Sequence, residues 1–442
     1  MRRALALVIT FGFCAVANAQ FDWVLWDPMA VRADRSEPVR LELQLQTTGR
    51  GTPIGVTAVR LDLAAGGSLT LTPLGGGRFE GTVTAAQLLY DYQADDVNHN
   101  FVGFIRLLNA GSAVITSYNA FVNVIDKNVP IARITARGVD ARQTTRILNL
   151  YRPSITYANA GTAVQQFYAY FPDDFDFVSI VYTLPSYQGN RSHNPIRNNV
   201  SGIGLTLYNN ASLYGSAGRL QGITVFPIDS YFDAGEQTFS HETGHQWINY
   251  LQHPRLTPGP HWPPSSMASG VMGFNIPGGS QGGKFPYAIE PAGTGLYRVT
   301  SRPVTKEFSD FDLYLMGLLP ASQVSPGVVL EGTMCENCTM AGSAITVQDI
   351  IATHGPRLPD PSTSQKSFRV GTVVISRDRL LNDDEMALLE YFAARGEAKT
   401  PLPFSEGFDK GTTKPFYVAT RGLATVDLQL APAPKRRAVG RR

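Results

Sequence analysis

The chain has 442 residues, long enough for about two or three domains. Hydrophobic residues make up 43% and charged residues 17%, which excludes a globally disordered chain. A formal charge of +2 is too small for a nucleic-acid binder, and much of the excess sits in Lys435, Arg436, Arg437, Arg441 and Arg442. These follow the Pro-rich run Ala431–Pro434, so 431–442 reads as a disordered basic tail.

The first residues read as an export signal. Arg2 and Arg3 precede an apolar run from Ala4 to Val16, and Ala17-Asn18-Ala19 supplies small residues at a cleavage site. The expectation is a signal peptide over 1–19, cleavage near Ala19, and a secreted or periplasmic protein with no membrane span. Cys14 leaves with the signal. The pair Cys335 and Cys338 is expected to close as a local disulfide in an oxidising compartment.

From 20 to 127 the signals are those of strands. Val39–Gln46 alternates apolar and polar residues, and Val56–Leu63, Ser68–Leu74 and Phe101–Leu107 are similar runs. Gly-rich turns separate them, which suggests an all-β, Ig-like sandwich. Asp91, Asp95, Asp96 and Asn98 are candidate structural Ca2+ ligands, as are Asp173, Asp174 and Asp176; loop and capping roles are the plainer reading of both groups.

The pattern changes near Asn128-Val129-Pro130. A strand over Ile131–Thr135, a helix over Ala163–Phe171 and strands over Phe175–Leu184 and Leu220–Phe226 describe an α+β domain over 128–430. The polar stretch Gly189–Asn210 reads as loop, and so does the Gly-rich 278–283. Asn382 and Glu385 form a capping box that opens a helix over Glu385–Arg395.

The chemistry is carried by His241-Glu242-Thr243-Gly244-His245. Asp233-Ala234-Gly235-Glu236 offers a cap, so a helix is expected from there to about Leu251. Histidines four apart lie on one face and can hold one zinc ion. Glu242, beside the first of them, reaches a zinc-bound water as general base. Gly244 costs about 1 kcal/mol inside a helix, which points to a packing reason. A third ligand is needed. Asp312 in the Glu307–Leu318 segment is favoured, with Asp310, Glu307 and His261 as rivals. Tyr314 or His261 could stabilise an oxyanion, and Met316 could pack beneath the metal.

This segment resembles the active-site helix of zincin metallopeptidases. Together with the later Asp312–Leu318 run (DLYLMGL), it is similar to a group of exported bacterial peptidase-like proteins, over roughly 130–430. The resemblance implies a zincin-like catalytic domain, a Zn2+ cofactor and a peptide substrate. It also implies an edge strand, here Leu220–Phe226, along which the peptide binds. The expected protein is a monomer acting on protein or peptide, with no nucleic-acid partner. Two alternatives stand beside it: an exported binding or adhesion protein with a degenerate zincin domain, and a zinc hydrolase acting on a non-peptide substrate.

Overall fold

The computed structural model describes residues 21–46, 55–93, 97–130, 133–183, 191–231, 238–256, 261–273, 287–301, 307–332, 335, 337–400 and 415–431. The 1–19 leader, Asp95, Asp96, the 233–236 cap, the glycines of 278–283 and the tail from 432 lie outside the described residues.

Among the described residues, nine strands and one short helix make the first part: β1 (Phe21–Asp27), β2 (Ala30–Arg32), β3 (Val39–Leu45), β4 (Ala58–Leu63), β5 (Ser68–Thr70), β6 (Thr72–Gly75), β7 (Arg78–Val83), α1 (Ala85–Leu88), β8 (Val97–Leu108) and β9 (Val114–Ile125). They form two sheets, β1-β3-β7-β6 and β2-β9-β8-β4-β5. Alternation does the sorting: Leu41 and Leu43 of one sheet meet Leu61, Ile105 and Val122 of the other in one core. Burying each such side chain stabilises the module by about 1.5–3 kcal/mol. The Ser68–Leu74 run is two strands, one in each sheet, with buried Leu71 at the crossing. Asn98, expected in an acidic loop, lies within β8.

The remainder contains β10 (Thr135–Ala136), β11 (Ala141–Gln143), β12 (Ile147–Tyr151), α2 (Ala160–Tyr168), β13 (Phe177–Tyr182), β14 (Ser192–Pro195), β15 (Arg197–Asn198), β16 (Tyr208–Asn209), β17 (Gly222–Pro227), α3 (Ile228–Tyr231) and α4 (Thr238–Gly244). Then come β18 (Tyr287–Gly293), β19 (Leu296–Ser301), α5 (Asp310–Leu315), β20 (Gly327–Leu330), β21 (Cys338–Ile345), α6 (Val347–His354), β22 (Ser367–Ser376), α7 (Asp383–Gly396), α8 (Phe416–Ala419) and β23 (Thr425–Asp427). The main sheet runs β10-β11-β12-β22-β13-β17-β14, with β23 beside β22. Its centre, β12-β22-β13-β17, is parallel, and β14 closes the end antiparallel to β17.

Burial on both faces explains the unbroken apolar run of β13. Val178, Ile180 and Tyr182 pack on Val164 and Phe167 of α2. Phe177 and Val181 face Trp247, Ile248 and Phe308 on the opposite side. Residues 222–227 are therefore not the edge: β14 lies outside them. The expected edge strand is displaced by one strand, because four residues inside the polar 189–210 stretch pair where a loop was expected. A second sheet, β18-β19-β21-β20, carries the Cys335–Cys338 disulfide at one end of β21.

The sandwich is fastened to α7. Arg32 Nε lies 2.8 Å from Asp384 Oδ1, and Met29 N donates to Glu385 Oε1 at 3.0 Å. Arg379 bridges Asp27 and Glu385, while Ala30 and Ile125 join the core of the larger part. The protein is thus mostly β, with several sheets. Among the described residues no helix is long and apolar enough to cross a membrane.

Candidate metal centre

Strand β17 leads through α3 towards α4, which carries His241 and His245 one turn apart. The helix is shorter than the expected run to Leu251. After Gly244 the amides of His245, Gln246 and Trp247 bond back only three residues, to Glu242, Thr243 and Gly244. Asn249 then takes a left-handed φ of 78°. Trp247, Ile248 and Leu251 are buried from this turn. The early break lets the chain reverse and bring back His261.

His261 is the third imidazole. Its Nε2 lies 3.0 Å from Nε2 of His241, which is 3.3 Å from Nε2 of His245. The three donor atoms all fall within 4.8 Å of one another. Nitrogens held about 2.05 Å from one tetrahedral ion stand about 3.3 Å apart, so this group could bind a metal ion. Val271 O accepts from His241 Nδ1 at 2.8 Å, which fixes the proton on Nδ1 and leaves the Nε2 lone pair facing its neighbours. Burial, then the neighbouring imidazoles, hold His241 well below the ordinary imidazole range. Burial does the same for His245, with His261 next in effect. Clustered lone pairs that resist protonation are relieved by a cation.

Glu242 is 4% exposed. Burial pushes its carboxyl up to about 7, against the pull of Arg191, whose Nε lies 3.1 Å from Oε1. Two residues along, His193 Nε2 is 3.0 Å from Gln246 Oε1. The Gln246 amide nitrogen donates to Arg197 O at 2.8 Å, so its oxygen faces the ring and His193 Nε2 carries the proton. Burial lowers the His193 pKa to about 4, keeping the ring neutral. Residues 191 and 193 thus grip residues 242 and 246, one helical turn apart, and tie β14 to the segment that carries His241 and His245. Gly222 lies beneath this grip: a Cβ there would meet His193 Cε1 at 2.5 Å and Gln246 Oε1 at 2.7 Å.

The packing reason expected for Gly244 is present. A Cβ there would stand 2.5 Å from Met272 Sδ and 3.0 Å from Phe308 Cε1. Met272, not Met316, packs against the helix between the two histidines. Met316 is buried elsewhere, its carbonyl accepting from Arg357 Nη2 at 3.0 Å.

The carboxylates favoured as third ligand lie outside the group. Asp312 is fully buried, and its Oδ1 accepts from Trp262 Nε1 at 2.8 Å. Its Oδ2 accepts from Ser309 N at 2.9 Å, because Ser309 and Asp312 form the capping box of α5. The cap needs the carboxylate at the helix start, which removes it from the imidazoles. Asp310 pairs with Arg421 Nη1 at 2.6 Å, and exposed Glu307 with Arg421 Nε at 3.2 Å. The Tyr314 hydroxyl accepts from Arg357 N at 3.1 Å and is turned to that loop. Asp176 is met by Arg219, Gln221 and the Arg369 amide, and Asp174 by Arg369, so these candidate calcium ligands face side-chain cations and amides.

Arg191 and the Val271 carbonyl had no signal in the sequence. Both act through chain that returns from elsewhere, and no spacing motif links them to residues 241–245. What the fold and site define is a mostly β protein with a group of three histidines able to bind a metal ion. Comparison with known protein families, with curated proteins and with solved structures finds no match.

Proposed function

We propose that the protein is an exported zinc-dependent peptidase with a zincin-like α+β domain. One observation carries the reading: three imidazole nitrogens converge while the carboxyl next to the first of them is buried at the same place. His241, His245 and His261 would hold the ion. Three protein ligands, all imidazole, suit Zn2+ in a catalytic site, where the fourth position is left to water or substrate, rather than in a closed structural one. When bound, Zn2+ supplies Lewis acidity, lowering the pKa of water to about 7 and polarising a carbonyl.

Glu242 takes a proton from the attacking water. The water oxygen bonds to the carbonyl carbon, and Glu242 returns the proton to the leaving nitrogen as the C–N bond breaks. Burial raises the Glu242 carboxyl above the usual carboxylate range in the metal-free chain, which favours its accepting a proton. The substrate would be an extended peptide pairing along the open side of β14, where no strand is bonded among the described residues. Main-chain pairing of this kind is tolerant of sequence, as a protein or peptide substrate requires.

The Arg191–Glu242 pair favours a second reading. A carboxylate held by a guanidinium could be a structural anion, in an exported binding protein whose metal serves stability alone. The two part on one experiment. The purified chain is assayed for zinc by mass spectrometry and for chelator-sensitive cleavage of a peptide library, alongside Glu242→Gln. The peptidase reading expects one zinc per chain and a loss of about 10²–10⁴-fold in turnover in the variant. Zinc binding with undiminished cleavage by Glu242→Gln refutes it. Ester or non-peptide amide hydrolysis without peptide cleavage would keep the zinc chemistry and change the substrate.

A further inference from the structure

We infer that Trp262 and Asp312 form a positioning pair that fixes His261 as the third metal-binding imidazole. The inference rests on the metal-binding reading above, and gives the buried carboxylate a task one step removed from ligation.

The three imidazoles are not held alike. His241 and His245 are spaced by α4, and His241 is oriented further by Val271 O. His261 belongs to no helix or strand. The residue after it, Trp262, is 2% exposed and packs edge-on to Phe311, with ring centroids 6.4 Å apart. Its indole N–H donates to Asp312 Oδ1 at 2.8 Å, and Oδ1 cannot drift because Oδ2 is fixed by the Ser309 amide. Farther on, Leu330 N donates to Pro264 O and Ser266 N to Val328 O, fastening the chain to β20. Trp262 is therefore the anchor adjacent to His261, and the rigid first turn of α5 is what holds it.

A buried carboxylate is costly unless hydrogen-bonded or paired. Asp312 makes no ion pair among the described residues, although burial raises its pKa to about 6. A neutral residue could accept the indole proton at lower cost. The presence of Asp312 is explained if the loop bearing one ligand must not wander. Partners one step beyond the ligands commonly set metal affinity within a factor of about 10–100.

The test measures zinc affinity of the full chain by competition with a chromophoric chelator, and the visible spectrum of the Co2+-loaded protein. Trp262→Phe keeps most of the apolar volume and deletes the N–H; Asp312→Ala deletes the acceptor. Both are expected to bind zinc about 10–100-fold more weakly and to alter the Co2+ bands. The double variant is expected to be little worse than the weaker single one, since the two residues act as one unit. Asp310→Ala, on the same helix but paired with Arg421, should change neither measurement. Near-ultraviolet circular dichroism reports the fold, and Trp262→Phe carries the test if Asp312→Ala does not fold. Folded Trp262→Phe with wild-type zinc affinity and an unchanged Co2+ spectrum overturns the inference while leaving the metal site intact. A wild-type chain that takes up no zinc overturns the metal-binding reading and this inference with it.

Discussion

Replacing Gly222 by alanine should loosen the strand that closes the main sheet. The new methyl would stand 2.5 Å from Cε1 and 2.6 Å from Nε2 of His193, and 2.7 Å from Gln246 Oε1. All three are closer than a carbon tolerates, and the ring is held between β14, β17 and the turn after α4. Overpacking of this kind costs about 1–3 kcal/mol. The His193–Gln246 bond is pushed apart as well, and a buried polar group left unpaired costs about 1–3 kcal/mol. Against this, alanine in place of a strand glycine returns about 0.5–1 kcal/mol of chain entropy. The balance is a destabilisation of about 1–5.5 kcal/mol. Urea unfolding followed by far-ultraviolet circular dichroism should show a lower midpoint with unchanged slope. The same substitution made in a His193→Ala background should cost much less, because the clashing ring is gone. An unchanged midpoint for Gly222→Ala, or an equal cost in both backgrounds, refutes the reasoning.

His261→Ala should weaken zinc binding by more than either positioning variant, since an ion left with two imidazoles loses a direct bond; isothermal titration measures it. Arg379→Ala should destabilise the chain by about 1–3 kcal/mol, because it strips a cation from Glu385, which is 3% exposed, at the junction of the sandwich with α7; thermal unfolding checks it. Asp27 at the same junction has its carboxyl held low by Arg379, against the upward push of burial. Its contribution should therefore be present above about pH 4 and lost as pH falls through the depressed value, and Asp27→Asn should flatten the acid limb of stability against pH. Asp312 has the opposite sign. With a folded value of about 6 the native, metal-free chain binds the proton more tightly than the unfolded one, so stability falls as pH rises from about 4 to 6. The full effect is up to about 3 kcal/mol at neutral pH, and denaturation of Asp312→Asn across that range should lack this slope.

Parts of the fold governed by local periodicity were legible in the residues. Alternation marked β3, continuous apolar runs marked β13 and β17, and the Asn382–Glu385 box marked the start of α7. The cost of Gly244 in a helix signalled a tight contact before the contacting atoms were known. What was not legible depended on partners distant in the chain. Strand β14 is four residues long and carries Ser, His, Asn and Pro; only pairing with β17 makes it a strand. A cap at 233–236 points to a helix reaching about Leu251, yet a turn buries Trp247, Ile248 and Leu251, so the early end of α4 has no local signal. That end decided the third imidazole. Asp312 had the right chemistry, but its capping bond to Ser309 commits it elsewhere, and a cap can be read as a ligand when only residue types are visible.

His261 lies sixteen positions beyond His245, so an ion held by both would act as a cross-link. Closing a loop of that size by a covalent bridge removes about 3 kcal/mol of unfolded-chain entropy, and a tightly held ion would do the same without chemistry on the side chains. The segment is also held by packing, because Trp247, Ile248, Leu251 and Leu256 are buried in the main core. Metal removal should free this segment first, so protease nicking between 246 and 260 would report occupancy of the site in a chain whose sheets remain intact.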